Sequence, residues 1–391
     1  LAITQLEYKS HGLAGELERP DWPALTLPEV EALLRRYPQA GGAVRIASIS
    51  PRPFSSASVV ESPLGQVFVK RHARAVRERA GLLEEHRFLA HLAEKLPNLV
   101  QPPLADRNGE TVLCTEEWTY EVHPHANGVD VYEDALSWTP FLSMGHARAA
   151  GRALAQFHLA AASYNAPARR PGQLISSYSI FASGDPAEGI ESYLEKRPML
   201  RDYAGQRDWR VSLNQIVLPF FAKLAPWLSY LRPLWTHNDL HASNLLWSSP
   251  EPDAEVSGII DFGLADRTNA VYDLATAIER NIVEWLRIGE PHADLLHLDH
   301  LDALLDGYLE LAPLSYAEAQ ALPAMLPLVH CEFALSETDY FLSVLHAPEK
   351  AFLAYEGYFL GHAQWFRTAQ GQRLLHHLEC WAKAQPRGGP R

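Results

Sequence analysis

The segment Trp235-Thr236-His237-Asn238-Asp239-Leu240-His241-Ala242-Ser243-Asn244-Leu245-Leu246 carries the densest chemistry in the chain. A second acidic group, Asp261, ends the run Ser257-Gly258-Ile259-Ile260 and is followed by Phe262 and Gly263. Phosphoryl transfer to a hydroxyl needs such a set. One carboxylate must accept or orient the attacking hydroxyl, and oxygen donors must help hold Mg2+ against the phosphates. Asp239 suits the first task, Asn244 and Asp261 the second. Either motif alone is an ordinary polar turn. Flanked by the apolar strands Leu245-Leu246-Trp247 and Gly258-Ile259-Ile260, and lying close together in one chain, they read as one site.

A third piece lies far upstream. Val67-Phe68-Val69-Lys70 is an apolar strand ending in a lysine, and Glu84-Glu85 follows on a helix. A strand lysine held by a helix glutamate is the arrangement that positions the α- and β-phosphates of a nucleotide. Glu85 suits the pairing better than Glu84, because Phe88, Leu89 and Leu92 lie three, four and seven residues on and place it on the core side. No Gly-x-Gly-x-x-Gly is present to cover the phosphates. The turn Phe54-Ser55-Ser56-Ala57-Ser58 stands in its place, and the Ser56 and Ser58 hydroxyls are the candidates to meet phosphate oxygens.

These groups need a scaffold of two kinds. Before residue 123 the chain reads as a helix over Trp22 to Arg36, then strands over Ala43–Ser50, Ser58–Val60 and Gly65–Arg71. A helix through Leu82 to Leu92 follows, ended by Pro97, and then strands over Thr111–Cys114 and Trp118–Val122. After His123-Pro124-His125-Ala126-Asn127-Gly128 the pattern is helical, apart from the short strands beside Asn244 and Asp261 and a Pro/Arg-rich loop over Asn165–Gln173. The expectation is an α+β chain of two lobes, residues 1–122 built on an antiparallel sheet and 123–391 mostly helical.

The bulk properties narrow the partners. A formal net charge of -13 argues against a surface that grips nucleic acid. Cys114, Cys331 and Cys380 are too few and too scattered for a disulfide framework and read as free thiols. No apolar run is long enough to span a bilayer, and the opening Leu1-Ala2-Ile3-Thr4 turns polar at once, unlike a secretory signal. A cytoplasmic location is the expectation, with residues 385–391 a frayed tail.

On these residues the chain resembles the aminoglycoside phosphotransferase and choline kinase superfamily. His237-Asn238-Asp239-Leu240-His241-Ala242-Ser243-Asn244 is similar to the family's His-Gly-Asp-Leu-His-x-x-Asn, with Asn238 replacing the glycine, and Tyr272-Asp273-Leu274-Ala275 to its Asp-Leu-Ala helix start. The resemblance implies a bilobal kinase-like fold using ATP and Mg2+. In it Asp239 is the catalytic base, Asn244 and Asp261 are metal ligands, and Lys70 and Glu85 are the phosphate-positioning pair. The backbone of Glu121, Val122 and His123 would receive the adenine, and Asp273 would brace the catalytic loop.

The step from Gly263 to Tyr272 is too short for an activation segment, so a small alcohol is the expected acceptor: an amino alcohol, a sugar or an aminoglycoside-like compound. The run Leu304 to Tyr308 and the later Pro313-Leu314-Ser315 resemble homoserine kinase type II-like members. Glu332, Glu337 and Asp339 are candidates to meet a substrate ammonium, against the reading of a solvated helix face. His237 reads as a backbone buttress, and His241 either contacts Asp239 or packs. His292, His297 and His300 are set aside as surface or core histidines. A protein Ser/Thr kinase and a silent nucleotide-binding protein are the competing readings; the short segment counts against the first and the presence of Lys70, Asp239, Asn244 and Asp261 against the second.

Overall fold

Strand alternation decides which face of the first lobe each side chain takes. In the computed structural model, which describes residues 20–387 except 51, 134, 171 and 291, five antiparallel strands form one sheet in the order β1-β2-β3-β5-β4. The opening residues and the end of the tail, on which the leader and tail expectations rest, lie outside the described residues. The strands are β1 (Arg45–Ile49), β2 (Ser56–Ser62), β3 (Gly65–Ala73), β4 (Leu113–Cys114) and β5 (Trp118–Pro124). Gly65, at φ 127, closes the β2–β3 hairpin in a conformation that disfavours any side chain.

Val60, Val67, Val69, Tyr120 and Val122 all point to one face and pack under helix α1 (Leu27–Leu34). That helix is shorter than the expected Trp22–Arg36, because Thr26 and Glu29 form a capping box that starts it late. Lys70, in register with Ala57 on β2 and Glu121 on β5, belongs to the opposite face. Helix α2 (Arg79–Lys95) covers that second face and buries Glu85, His86, Phe88 and Leu89.

The second lobe is mostly helical. Short helical turns occupy much of residues 179–230, and the helices that bear on the site are α3 (Met144–Ala161), α4 (Ala270–Ile282), α5 (Leu298–Leu309) and α6 (Cys331–Ser343). Four short strands interrupt them. β6 (Pro233–Thr236) pairs with β9 (Asp266–Asn269), and β7 (Leu245–Trp247) pairs with β8 (Val256–Ile259). The β6–β9 ladder is too short to show in the sequence pattern. Together the two ladders pin both ends of the two functional segments. No helix among the described residues is long and apolar enough to cross a membrane, and the three cysteines are free.

Helices α3 and α5 cross in close contact at two glycines. A Cβ on Gly151 would strike the Leu304 carbonyl, and one on Gly307 the Arg148 carbonyl. The crossing brings His158 of α3 to the Tyr308 hydroxyl at 2.8 Å and to Asp273 of α4 at 3.0 Å. Gly307→Ala is therefore expected to force the helices apart and cost about 1–3 kcal/mol, the usual penalty for overpacking. Chemical denaturation checks this; a midpoint equal to the parent's would show that the crossing yields freely.

Candidate active site

The loop between β6 and β7 is held by its own backbone. Asp273, fully buried in the first turn of α4, accepts the His237 and Asn238 backbone N–H groups at 2.9 and 2.7 Å. Burial raises its pKa, but His158 and the His237 amide more than offset this and hold it below the ordinary carboxylate range. The structure gives Asp273 the bracing position expected of it.

Asn238 has φ 63, the left-handed region that glycine enters most easily and asparagine more readily than most residues. Its side chain stabilises the bend: Nδ2 donates to the Leu264 carbonyl at 3.0 Å, and Oδ1 accepts from Thr236 Oγ1 at 2.7 Å. The departure from the family's glycine is thereby accommodated. His237 buttresses the neighbouring segment through Nε2 to the Ile260 carbonyl at 3.0 Å.

Asp239 follows, largely buried, and lines a cavity together with Asn244, Asp261 and Lys70. Burial pushes its carboxyl up to about 6; Arg280, with Nη2 at 3.2 Å from Oδ1, pulls the other way. Asn244 donates from Nδ2 to the Asp239 carbonyl at 2.8 Å, so its amide oxygen is the donor atom available to a cation. His241 Nε2 lies 3.8 Å from Asp239, and its Nδ1 is 2.8 Å from Ser243 Oγ. Burial, and then Arg280 and Arg52, lower the His241 pKa well below the usual value, so the ring is neutral.

Asp261 stands two residues past the end of β8 with φ 57. Its Oδ1 accepts from Lys70 Nζ at 2.9 Å and from the Gly263 N–H at 3.3 Å. Burial acts against the carboxylate, but Lys70 overcomes it and holds Asp261 well below the normal range.

Several expected partners are placed differently. Lys70 pairs with Asp261, whereas Glu85 lies 3.5 Å from Arg169 Nη2. Arg169 also donates to the Gly263 and Ala265 carbonyls, so Glu85 ties α2 to the chain just past Asp261. Ser56 and Ser58 share a face with Val60, turned away from Lys70. Ser56 Oγ donates to the Pro23 carbonyl at 2.7 Å, and Ser58 is buried in register with Val69. Ser55 lines the cavity instead.

The backbone at Glu121, Val122 and His123 is engaged within the sheet on its β3 side. β5 pairs with β3 along this stretch, and the Val122 carbonyl accepts from Leu104 N–H at 2.7 Å. The Glu121 carboxylate is clamped by His72, His86 and His123 at 2.8, 2.8 and 3.0 Å. No sequence signal announced this clamp, because its members come from two strands and a helix.

Of the three acidic candidates on α6, Glu332 is buried and accepts the Ser177 and Ile180 backbone N–H groups. Asp339 accepts from Gln173 and Ser343. Glu337 alone of the three lines the cavity. His297 pairs with Glu284 at 2.9 Å, away from this site. Sequence reasoning missed Arg280. Its position seven residues after Asp273, two turns along the same helix, is the signal that would have found it.

Residues 54–314 match the model of the phosphotransferase enzyme family. The chain belongs to that family. It is accordingly a small-molecule phosphotransferase with a hydroxyl acceptor. No curated protein matches it in sequence.

Solved structures share its fold at low identity. A microcompartment-associated aminopropanol kinase is 17% identical with a TM-score of 0.57, over 89% of this chain and 100% of the other. An aminoglycoside phosphotransferase from Alicyclobacillus acidocaldarius is 16% identical with a TM-score of 0.53, over 93% and 98%. A spectinomycin phosphotransferase solved with ADP and spectinomycin is 12% identical with a TM-score of 0.50, over 90% and 100%. The bilobal kinase-like fold expected from sequence is the fold observed.

Proposed function

We propose that this member of the family transfers the γ-phosphoryl group of ATP, with Mg2+, to a hydroxyl of a small amino alcohol, sugar or aminoglycoside-like molecule. The observation that carries the reading is the convergence of Asp239, Asn244, Asp261 and Lys70 on one cavity from three separate segments. The names of the similar structures, an aminopropanol kinase and aminoglycoside phosphotransferases, support an acceptor of this kind.

Asp239 takes the proton of the acceptor hydroxyl as its oxygen bonds to the γ-phosphorus, while the bond to the β-phosphate oxygen breaks and ADP leaves. A carboxyl raised to about 6 remains mostly ionised at neutral pH, yet is a stronger base than an exposed aspartate. The Asp261 carboxylate and the Asn244 amide oxygen are hard donors of the type Mg2+ accepts. When bound, the ion neutralises charge across the phosphates. Lys70, 2.9 Å from Asp261, supplies the charge that meets the α- and β-phosphates.

Lys70→Ala should raise the KM for ATP at least about tenfold, since a charge-assisted contact to phosphate is lost. The function itself is tested by ADP release with Mg-ATP across a panel of small alcohols and a serine-rich protein. Turnover confined to the protein would exclude a small acceptor, and failure to bind Mg-ATP would exclude the nucleotide reading.

A further inference from the structure

The part of the cavity facing Asp239 contains a guanidinium in an unusual setting. Arg280 is 6% exposed and lies with its charge centre 4.3 Å from the Trp138 ring centroid and 5.8 Å from that of Phe333. All three residues line the cavity. The aromatic contacts favour the cation and leave a polar edge for recognition.

The other buried arginines near the site are used by the fold. Arg77 donates to the Gln173, Leu174 and Gly263 carbonyls, and Arg169 to those of Gly81, Gly263 and Ala265. Arg280 makes no such hydrogen bond to any described residue. It has two ion pairs, Nη2 to Asp239 at 3.2 Å and Nε to Glu279 at 3.5 Å, and its buried Nε lacks a hydrogen-bond partner among the described residues.

A buried donor set left this loosely satisfied is costly unless a ligand completes it. Its place also opposes the chemistry, because a cation beside a general base makes that base weaker. An anion on the substrate would resolve both conflicts by filling the open N–H positions and neutralising the guanidinium.

We infer that the acceptor is a short hydroxy acid whose carboxylate docks on Arg280 beside Trp138 while its hydroxyl faces Asp239. A planar guanidinium with two neighbouring N–H groups suits a carboxylate. The two ligand groups span at most about 9 Å, set by two hydrogen bonds and the 3.2 Å pair. That reach suits a hydroxy acid of a few carbons. The inference rests on the phosphotransfer reading above and narrows its acceptor.

The test uses the full chain with Mg-ATP and matched acceptors that differ only by a carboxylate. The pairs are threonine with 1-aminopropan-2-ol, serine with ethanolamine, homoserine with 3-aminopropan-1-ol, and glycerate with ethane-1,2-diol. At least one acid should exceed its partner by roughly 10- to 100-fold in kcat/KM, the worth of charge-assisted hydrogen bonds. In Arg280→Met that ratio should collapse toward one, and in Arg280→Lys, which keeps the charge without the fork, it should fall part-way.

The ratio is the readout, because disturbing Asp239 would slow both members of a pair alike. Melting curves identify any variant that does not fold, and the lysine variant keeps the test available. Equal or better turnover of the decarboxylated partners overturns the inference and leaves phosphotransfer standing. So does a ratio that survives in Arg280→Met, or turnover confined to alcohols outside the acid series. Binding of Mg-ATP without turnover of any alcohol overturns the phosphotransfer reading, and this inference with it.

Discussion

Asp239→Asn is expected to lower turnover by about 10^2- to 10^4-fold, the usual contribution of a general base, and to raise thermal stability at pH 8. Both effects come from one environment. Burial is the largest influence on the carboxyl and moves it from 3.8 up to about 6, with Arg280 only partly opposing. The folded value lies above the unfolded one, so the folded state binds more protons between them. The ionised carboxylate therefore costs stability that is fully felt above about pH 6 and absent below about pH 4.

Asparagine removes that cost, on the order of 3 kcal/mol, and the stabilisation should vanish as pH falls through the same window. The parent enzyme should show kcat/KM rising with pH and levelling off above about 6 as the base becomes ionised. ADP-release kinetics and melting curves from pH 4 to 8 test both halves. A variant within tenfold of the parent rate would remove Asp239 from the role of base. A lower melting point at pH 8 would show that the Arg280 pair outweighs the burial.

Asp273→Ala should be the most destabilising single change at the site, by about 3–5 kcal/mol, because it leaves several buried donors without their acceptor. The His237 and Asn238 amides and the His158 ring all end on this carboxylate. Asn238 would then have to hold φ 63 without the backbone tether that fixes it. Turnover should fall with stability, since Asp239 is the next residue in the loop. Nucleotide affinity should fall less, because Lys70 and Asp261 lie on other segments.

Asp273→Asn keeps one acceptor and should recover part of the loss. The folded pKa is depressed, so the stability this group supplies is complete above about pH 4 and disappears as pH falls through the folded value. Urea titration at pH 7 checks the magnitude; a loss below about 1 kcal/mol would mean that water replaces the carboxylate.

The gathering of Asp239, Asn244, Asp261 and Lys70 was legible because each is set in a local pattern of apolar strand and polar turn, and such patterns survive in a single sequence. The bracing place of Asp273 came from the family resemblance, through its Asp-Leu-Ala helix start. The two-lobed organisation followed from the change in periodicity after residue 123.

The errors have a common origin in side-chain parity and long-range contact. Ser56 and Ser58 turn to the α1 side because β2 pairs Ala57, not a serine, with Lys70. A shift of one residue along a strand reverses the face, and the sequence alone does not set the register. Glu85 was placed on the correct side of α2, but its partner Arg169 comes from a loop 84 residues away. The histidine clamp on Glu121 and the Arg280 contact with Asp239 likewise join residues from separate elements.

By itself the sequence determined the lobes and the residue types suited to phosphoryl transfer, since these depend on local periodicity and on chemistry carried by short motifs. The tertiary structure alone decided which charges meet: Lys70 with Asp261, Glu85 with Arg169, and Arg280 with Asp239. An ion pair depends on distance in space and on exclusion of water, and the crossing of helices and the register of strands set both.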